Sequence, residues 1–174
     1  LLFYIMTVFT LSWGTSALHY PRESFLIAQM ISMLFFGLGI PVSAVLADRR
    51  GRSNVLIASS LCIFIFGLFF APFFSTGSLI VTVVFQSMGM LLMGLNYGPL
   101  GTALAQIFPA EVRYTGASLA FTLAGILGAS LTPYFATTLA TNYGLSYVGY
   151  YLSLGAAISI AALLAARPLM NKTR

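Results

Sequence analysis

The chain has 174 residues; 59% are apolar, only 6% are charged, and the mean hydropathy is +0.97. So few polar side chains cannot coat a water-facing surface, which excludes a soluble globular domain and a disordered chain alike. One Cys and one His exclude a disulfide scaffold and a structural zinc site, and the net charge of +5 is first to be tested as a topology signal rather than as a nucleic-acid footprint.

The charges occupy four places: His19–Glu23, Asp48–Arg52, Glu111–Arg113 and Arg167–Arg174. Between them lie uncharged runs of 24 residues (24–47), 58 residues (53–110) and 53 residues (114–166). A bilayer-spanning helix needs ~20 apolar residues, so the first run is one span and each longer run holds two. Residues 1–20 add another. The fold class is therefore all-α and polytopic. Six transmembrane helices are expected near 1–20, 24–47, 54–73, 79–107, 115–140 and 146–166, and the period-two alternation of a membrane barrel is missing. The chain opens inside an apolar segment at Leu1, which reads as a piece of something longer.

In the first helix, Tyr4, Thr7, Leu11 and Thr15 share one face, with Trp13 on the other side as an interfacial or outer-gate aromatic. The second helix carries a stripe of Gln29, Ser32, Phe36 and Ser43. After it, Gly51 permits a sharp turn and Arg49, Arg50 and Arg52 hold the loop out of the bilayer, while Asp48 faces the positive end of the next helix. The third helix has only Asn54 at its mouth and the sixth has no amide at all, so both should face lipid. Cys62, within the third, is a small hydrophobe with no assigned role. Pro72 and the run Ser75-Thr76-Gly77-Ser78 mark a turn, as do Thr141-Asn142-Tyr143-Gly144 further on.

The fourth helix is the richest. Gln86, Met90, Met93 and Tyr97 fall within ~60° of one another, and Asn96 and Gln106 add further amides. A polar amide in hydrocarbon is costly, so these side chains should turn toward protein or a wet cavity. Each could instead bond across two packed helices. Gly98 and Pro99 mark a bend, as does Pro133 in the fifth helix, since proline removes a backbone donor. The fifth helix also repeats small residues at every fourth position: Gly116, Ala120, Ala124, Gly128, Thr132, Ala136 and Ala140. Such a stripe lets backbones approach closely.

With six spans the loops alternate sides. One side carries Arg49, Arg50, Arg52, Arg113, Arg167, Lys172 and Arg174; the other carries Arg22 alone. Seven against one makes the first side cytoplasmic and puts both ends of this segment there, in a multi-pass protein of the cytoplasmic (inner) membrane. On that side the sequon Asn171-Lys172-Thr173 carries no glycan.

Two loops carry a family resemblance. Ala44-Val45-Leu46-Ala47-Asp48-Arg49-Arg50-Gly51-Arg52 resembles the G-x-L-a-D-r-x-G-r signature of the major facilitator superfamily, with Ala44 in place of the leading glycine. Phe108-Pro109-Ala110-Glu111-Val112-Arg113-Tyr114-Thr115-Gly116-Ala117-Ser118 is similar to the helix-ten-to-eleven junction of the metabolite:H⁺ symporters. The resemblance implies helices seven to twelve, the C-terminal half of a twelve-helix carrier whose N-terminal half is absent here. It also implies a cytoplasmic gate in which Asp48, Arg49 and Arg52 pair with Glu111 and Arg113.

The expected function is secondary active transport of a small polar solute, an organic acid or an amino-acid-like or betaine-like molecule, by H⁺ symport and alternating access. The pathway candidates are Tyr4, Gln29, Gln86, Met93, Asn96 and Tyr97; the hinge candidates are Gly98, Pro99 and Pro133. No Asp, Glu, Lys or Arg lies within any span and His19 sits only at the outer mouth, so a proton site belongs to the missing half. The expected partners are solute, H⁺, membrane lipid and that half, with no nucleic acid, no metal and no cofactor. An enzyme is not expected: an intramembrane protease would need an activated Ser beside a His at membrane depth, and His19 lies toward the opposite face from Ser118. The rival reading is a standalone six-helix membrane module, a channel or a structural or interaction protein.

Overall fold

A computed structural model describes residues 1–171, without the side chains of 127, 129 and 169–171. Lys172 and Arg174 of the expected basic tail, and most of the sequon, lie outside the described residues. Those residues form helices throughout. The first rod is α1 (Leu2–Tyr4), a π-helical turn (Ile5–Phe9) and α2 (Thr10–Ser16), run end to end. Then come α3 (Arg22–Arg50), α4 (Arg52–Leu68), the short α5 (Phe70–Phe74) and α6 (Leu79–Ala105). A second broken rod follows: α7 (Arg113–Gly125), a π turn (Ile126–Ser130) and α8 (Thr132–Tyr143). α9 (Leu145–Asn171) closes the chain.

Three helices are long and apolar enough to cross a membrane: Arg22–Arg50, Leu79–Ala105 and the Leu145–Pro168 portion of α9. α4 is apolar but shorter, at 17 residues. The expected third span, 54–73, breaks at Phe69 (φ −93°, ψ 6°). The cause is Pro72, which has no N–H and whose ring crowds the carbonyl of Leu68 four residues back. The expected fifth span, 115–140, is likewise not one helix. It breaks at 126–131, immediately before Pro133, which sits in the first turn of α8. The small-residue stripe divides with it: Thr132, Ala136 and Ala140 are buried, whereas α7 buries nothing. The first helix stops at Ser16 rather than 20; His19, at φ 55°, then turns the chain toward Pro21. Gly51 joins α3 to α4 at φ 88°, ψ 138°, a conformation a side chain would resist, so α4 starts one residue after α3 ends.

The center of the bundle is the pair α3 and α6. Ser32 Oγ lies 3.2 Å from Ser87 Oγ, and Ser43 Oγ donates to the Gly94 carbonyl at 3.4 Å. Residues of similar height thus differ by a nearly constant 51 to 55 positions, so the helices run parallel. Glycine makes their approach possible. A methyl on Gly39 would sit 2.8 Å from the Leu91 carbonyl oxygen and 3.0 Å from Gly94 Cα; one on Gly94 would strike the Phe36 carbonyl. In lipid, contact of this kind replaces the hydrophobic drive that holds a soluble bundle.

α4 and α9 form the other tight pair. Gly67 and Gly149 meet backbone to backbone, and Ser153 Oγ donates to the Phe64 carbonyl at 2.8 Å. Opposite the basic loops, a phenylalanine cluster fills the bundle: Phe9, Phe25, Phe70 and Phe74 are each no more than 1% exposed, and Phe66 stacks on Phe85 at 4.2 Å.

The parallel course of α3 and α6 puts the 48–52 and 106–113 loops at one end. Arg167 of α9 is there too, its Nη2 donating to Asn54 Oδ1 at 3.0 Å. His19–Glu23 and the turns at 75–78 and 143–144 belong to the other end. The described arginines of the basic side, Arg49, Arg50, Arg52, Arg113 and Arg167, are thus gathered at one end of the bundle.

Candidate functional site

The first rod carries a π turn at Ile5–Phe9. A π turn shifts the backbone ladder by one residue and leaves a carbonyl short of a partner, which is why such turns cluster where helices do something besides span. Here the deficit is met from two neighboring helices. Gln86 Nε2 of α6 donates to the Met6 carbonyl at 2.8 Å, and Gln29 Nε2 of α3 donates to the Thr7 carbonyl at 2.6 Å. Thr10 Oγ1 adds a second donor to Met6 at 2.6 Å. Two glutamines on separate helices therefore grip adjacent carbonyls of the same turn. Gln86 is 1% exposed, and its Oε1 has no hydrogen-bond partner.

Beside this clamp, four rings form a row across three helices. Tyr4 meets Phe3 at 5.6 Å, Phe3 meets Phe36 at 6.0 Å, and Phe36 meets Tyr97 at 5.9 Å. Tyr97 is 41% exposed at the end of the row. A cleft of about 850 Å³ opens between the first rod and α3, lined by Phe3, Thr7, Leu11, Thr15, Gln29 and Met33 among others, with Arg22 at its rim. A volume of this order suits a small solute. Its walls supply hydroxyls, an amide and the ring of Phe3, with no carboxylate among the lining residues.

The six pathway candidates therefore separate. Tyr4, Gln29, Met93 and Tyr97 are half-buried or exposed on the faces of the first rod, α3 and α6. Gln86 lies inside, in the clamp. Asn96 turns the other way: its Nδ2 bonds Ser59 and Ser60 of α4, each at 3.0 Å. It is an interhelical tie, and it explains why α4 carries two adjacent serines in an otherwise apolar helix. Replacing Asn96 by leucine is expected to lower thermal stability by ~1 kcal/mol, since such bonds in membranes average below that and the serines can turn back on their own helix. Solute affinity should be unchanged; a tenfold loss of affinity in uptake assays would return Asn96 to the pathway.

Of the gate candidates, Asp48, Arg49, Glu111 and Arg113 are exposed and Arg52 is half-buried, all at the basic end. Arg113 Nε donates to the Phe108 carbonyl at 3.4 Å, within its own loop. Of the hinge candidates, Gly98 seats against Ser43 and the Ile40 carbonyl of α3, and Pro99 is buried in an unbroken α6. Among the described residues no cluster of His, Cys, Asp and Glu could hold a metal ion. What the sequence did not reveal is the π turn itself, because nothing in Ile5–Phe9 departs from an ordinary apolar helix. The two glutamines were visible, but not their target.

Comparison with known proteins agrees with this architecture. The family model described as Major Facilitator Superfamily matches residues 1–174. The inner membrane metabolite transport protein YhjE of Escherichia coli is 44% identical over 168 residues, covering 94% of this chain and 38% of that protein. A Haemophilus influenzae protein named for metabolite transport is 35% identical over 98% of this chain and 41% of its own length. The proline/betaine transporter of Escherichia coli is 29% identical over 91% of this chain and 32% of its own. The chain thus spans about two fifths of the length of such curated relatives. No solved structure matches it.

Proposed function

The chain belongs to the major facilitator superfamily, and from that premise we propose that it is the C-terminal six-helix half of a secondary transporter of the inner membrane. In this reading α4 with α5 makes the third span and the broken rod α7–α8 the fifth. The carrier moves a small polar metabolite by alternating access, as an H⁺ symporter and not as an enzyme. The observation that carries this is the face built by the first rod, α3 and α6: an amide-and-aromatic surface flanked by a cleft, on a bundle otherwise coated with apolar side chains.

The chemistry of that face narrows the solute. Neutral hydrogen-bonding groups can fix a polar molecule in orientation, and the ring row offers its faces to a cation at a desolvated site, where such contacts are worth up to ~2 kcal/mol. A zwitterion of the amino-acid or betaine type would use both. Apart from Arg22 at the rim of the cleft, any group that binds its carboxylate by charge, and the group that takes up the proton, belong to the N-terminal half, since the apolar runs here hold no ionizable Asp, Glu, Lys, Arg or His.

The basic end is the cytoplasmic one in this reading, and both ends of the segment lie there. Asp48, Arg49 and Arg52 latch against Glu111 and Arg113 when the inner side is closed. Exposed pairs are worth only ~0–1 kcal/mol each, so the latch works as a coupled set. Gly98 with Pro99, and the break before Pro133, give the bends through which α6 and the α7–α8 rod change shape.

Uptake by the full-length carrier in proteoliposomes tests this, with organic acids, amino acids and betaines as solutes and an imposed pH gradient as the driving force. Tyr97→Ala and Gln29→Ala are each expected to raise the half-saturation concentration by about tenfold, the equivalent of ~1.4 kcal/mol. Uptake indifferent to the pH gradient would reject the symport. Failure to move any solute would favor the standalone module instead.

A further inference from the structure

Two grooves on the flank of the bundle, away from the cleft, meet near the middle of the membrane. One, of about 330 Å³, runs between α3, α4 and α6 from Arg50 and Asn54 past Val55 and Ala58 to Cys62 and Leu92. The other, of about 680 Å³, starts at the same Cys62 and Leu92 and continues past Phe66, Phe69 and Val84 toward the opposite end. The second is apolar throughout. The first is apolar except for Ser59 and its mouth, and the mouth is cationic.

Asn54 is held in place there. Asn54 Nδ2 donates to the Arg50 carbonyl at 2.9 Å, and its Oδ1 accepts from Arg167 Nη2 at 3.0 Å. Asn54 thus joins the Arg50 backbone of α3 to the Arg167 guanidinium of α9, Arg50 itself lines the groove, and both arginines are exposed. Asp48, the acid nearest in sequence, projects about 200° around α3 from Arg50. From Asn54 to Cys62 the groove descends eight residues of helix, or ~12 Å. That is close to one leaflet of a hydrocarbon core ~30 Å thick.

We propose that this groove binds one anionic phospholipid from the leaflet at the basic end, its phosphate between Arg50 and Arg167 and one acyl chain lying along α4 with its methyl end at Cys62. The fit is of charge and of length. A guanidinium pair is the donor set best matched to phosphate oxygens, and a surplus of two positive charges at the mouth selects a headgroup that adds no cation of its own. The lipid would cover Val55, Ala58 and Leu95, wedging α3, α4 and α6 together on the side opposite the solute. The larger groove past Cys62 belongs to the other leaflet.

Cys62 is exposed in the groove and can carry a reporter. The full-length carrier, with Cys62 as its one thiol, is labeled with bimane and reconstituted in phosphatidylcholine. Small fractions of phosphatidylglycerol or phosphatidylcholine brominated near the chain terminus are then added. Brominated phosphatidylglycerol is expected to quench at a mole fraction several-fold lower than brominated phosphatidylcholine. Arg50→Gln combined with Arg167→Gln should bring the two lipids to parity, while Arg49→Gln should leave the preference in place. Equal quenching by the two lipids in the unsubstituted protein overturns the proposal, whether or not the variants fold. So does a preference that survives in the double variant.

Discussion

Leucine in place of Gly94 is expected to unseat the central helix pair. The added side chain would meet the Phe36 carbonyl and Gly39 Cα, which are backbone and cannot swing aside. Overpacking of this kind costs ~1–3 kcal/mol or more even in cores that can relax, and here relief requires α3 and α6 to separate, breaking the bonds at Ser32 and Ser43 as well. The variant should appear in the membrane in reduced amount and melt well below the parent in detergent. Gly37→Leu is the control. It lies on the partner helix α3, two residues from Gly39, with nothing within 4 Å of its would-be side chain, and should melt like the parent. Equal stability of the two leucine variants would refute the glycine contact as the reason for the pairing.

A second large effect is expected from Gln86→Leu. The substitution keeps the volume and removes the donor, leaving the Met6 carbonyl with Thr10 Oγ1 alone. Such a bond averages ~0.6 kcal/mol in a membrane interior and reaches ~1.7, so melting should fall only moderately. The functional loss should be greater, because the π turn then has one clamp instead of two and the first rod can return to an ordinary helical ladder. Uptake by the full-length carrier should drop at least tenfold, about 1.4 kcal/mol. Gln29→Leu, at the neighboring carbonyl, should couple with it: the double variant should lose less than the two single losses added, since both act on one turn. Strict additivity would argue that the glutamines serve separate ends.

Much of the fold was legible because the bilayer imposes simple demands. Charge spacing located α3, α6 and α9, and the turns at Gly51, Gly77 and Gly144 took the positive φ that glycine allows. Less legible were the interruptions. Pro72 and Pro133 were visible, but whether a proline bends a helix or ends it depends on whether neighbors can satisfy the freed carbonyl; Pro41 and Pro99 sit inside unbroken helices of the same chain. The amides were legible as inward-facing and not as to partner. At 100° per residue, Asn96 and Tyr97 point to different neighbors, and one found Ser59 and Ser60 while the other joined the ring row. A periodicity argument sees the angle but not which helix stands in that direction.

The parallel run of α3 and α6 has an electrostatic corollary. Peptide dipoles of two side-by-side helices pointing the same way repel, and their carbonyl ends, each carrying about half a negative charge, finish together at the same end of the bundle. α9, antiparallel to α4, brings a third such end to the same level. Arg49, Arg50 and Arg167 lie in the last turns of these helices or close to them, where cations offset the pooled partial charge. The arginines gathered at this end are thereby the counterions of the chain's own backbone.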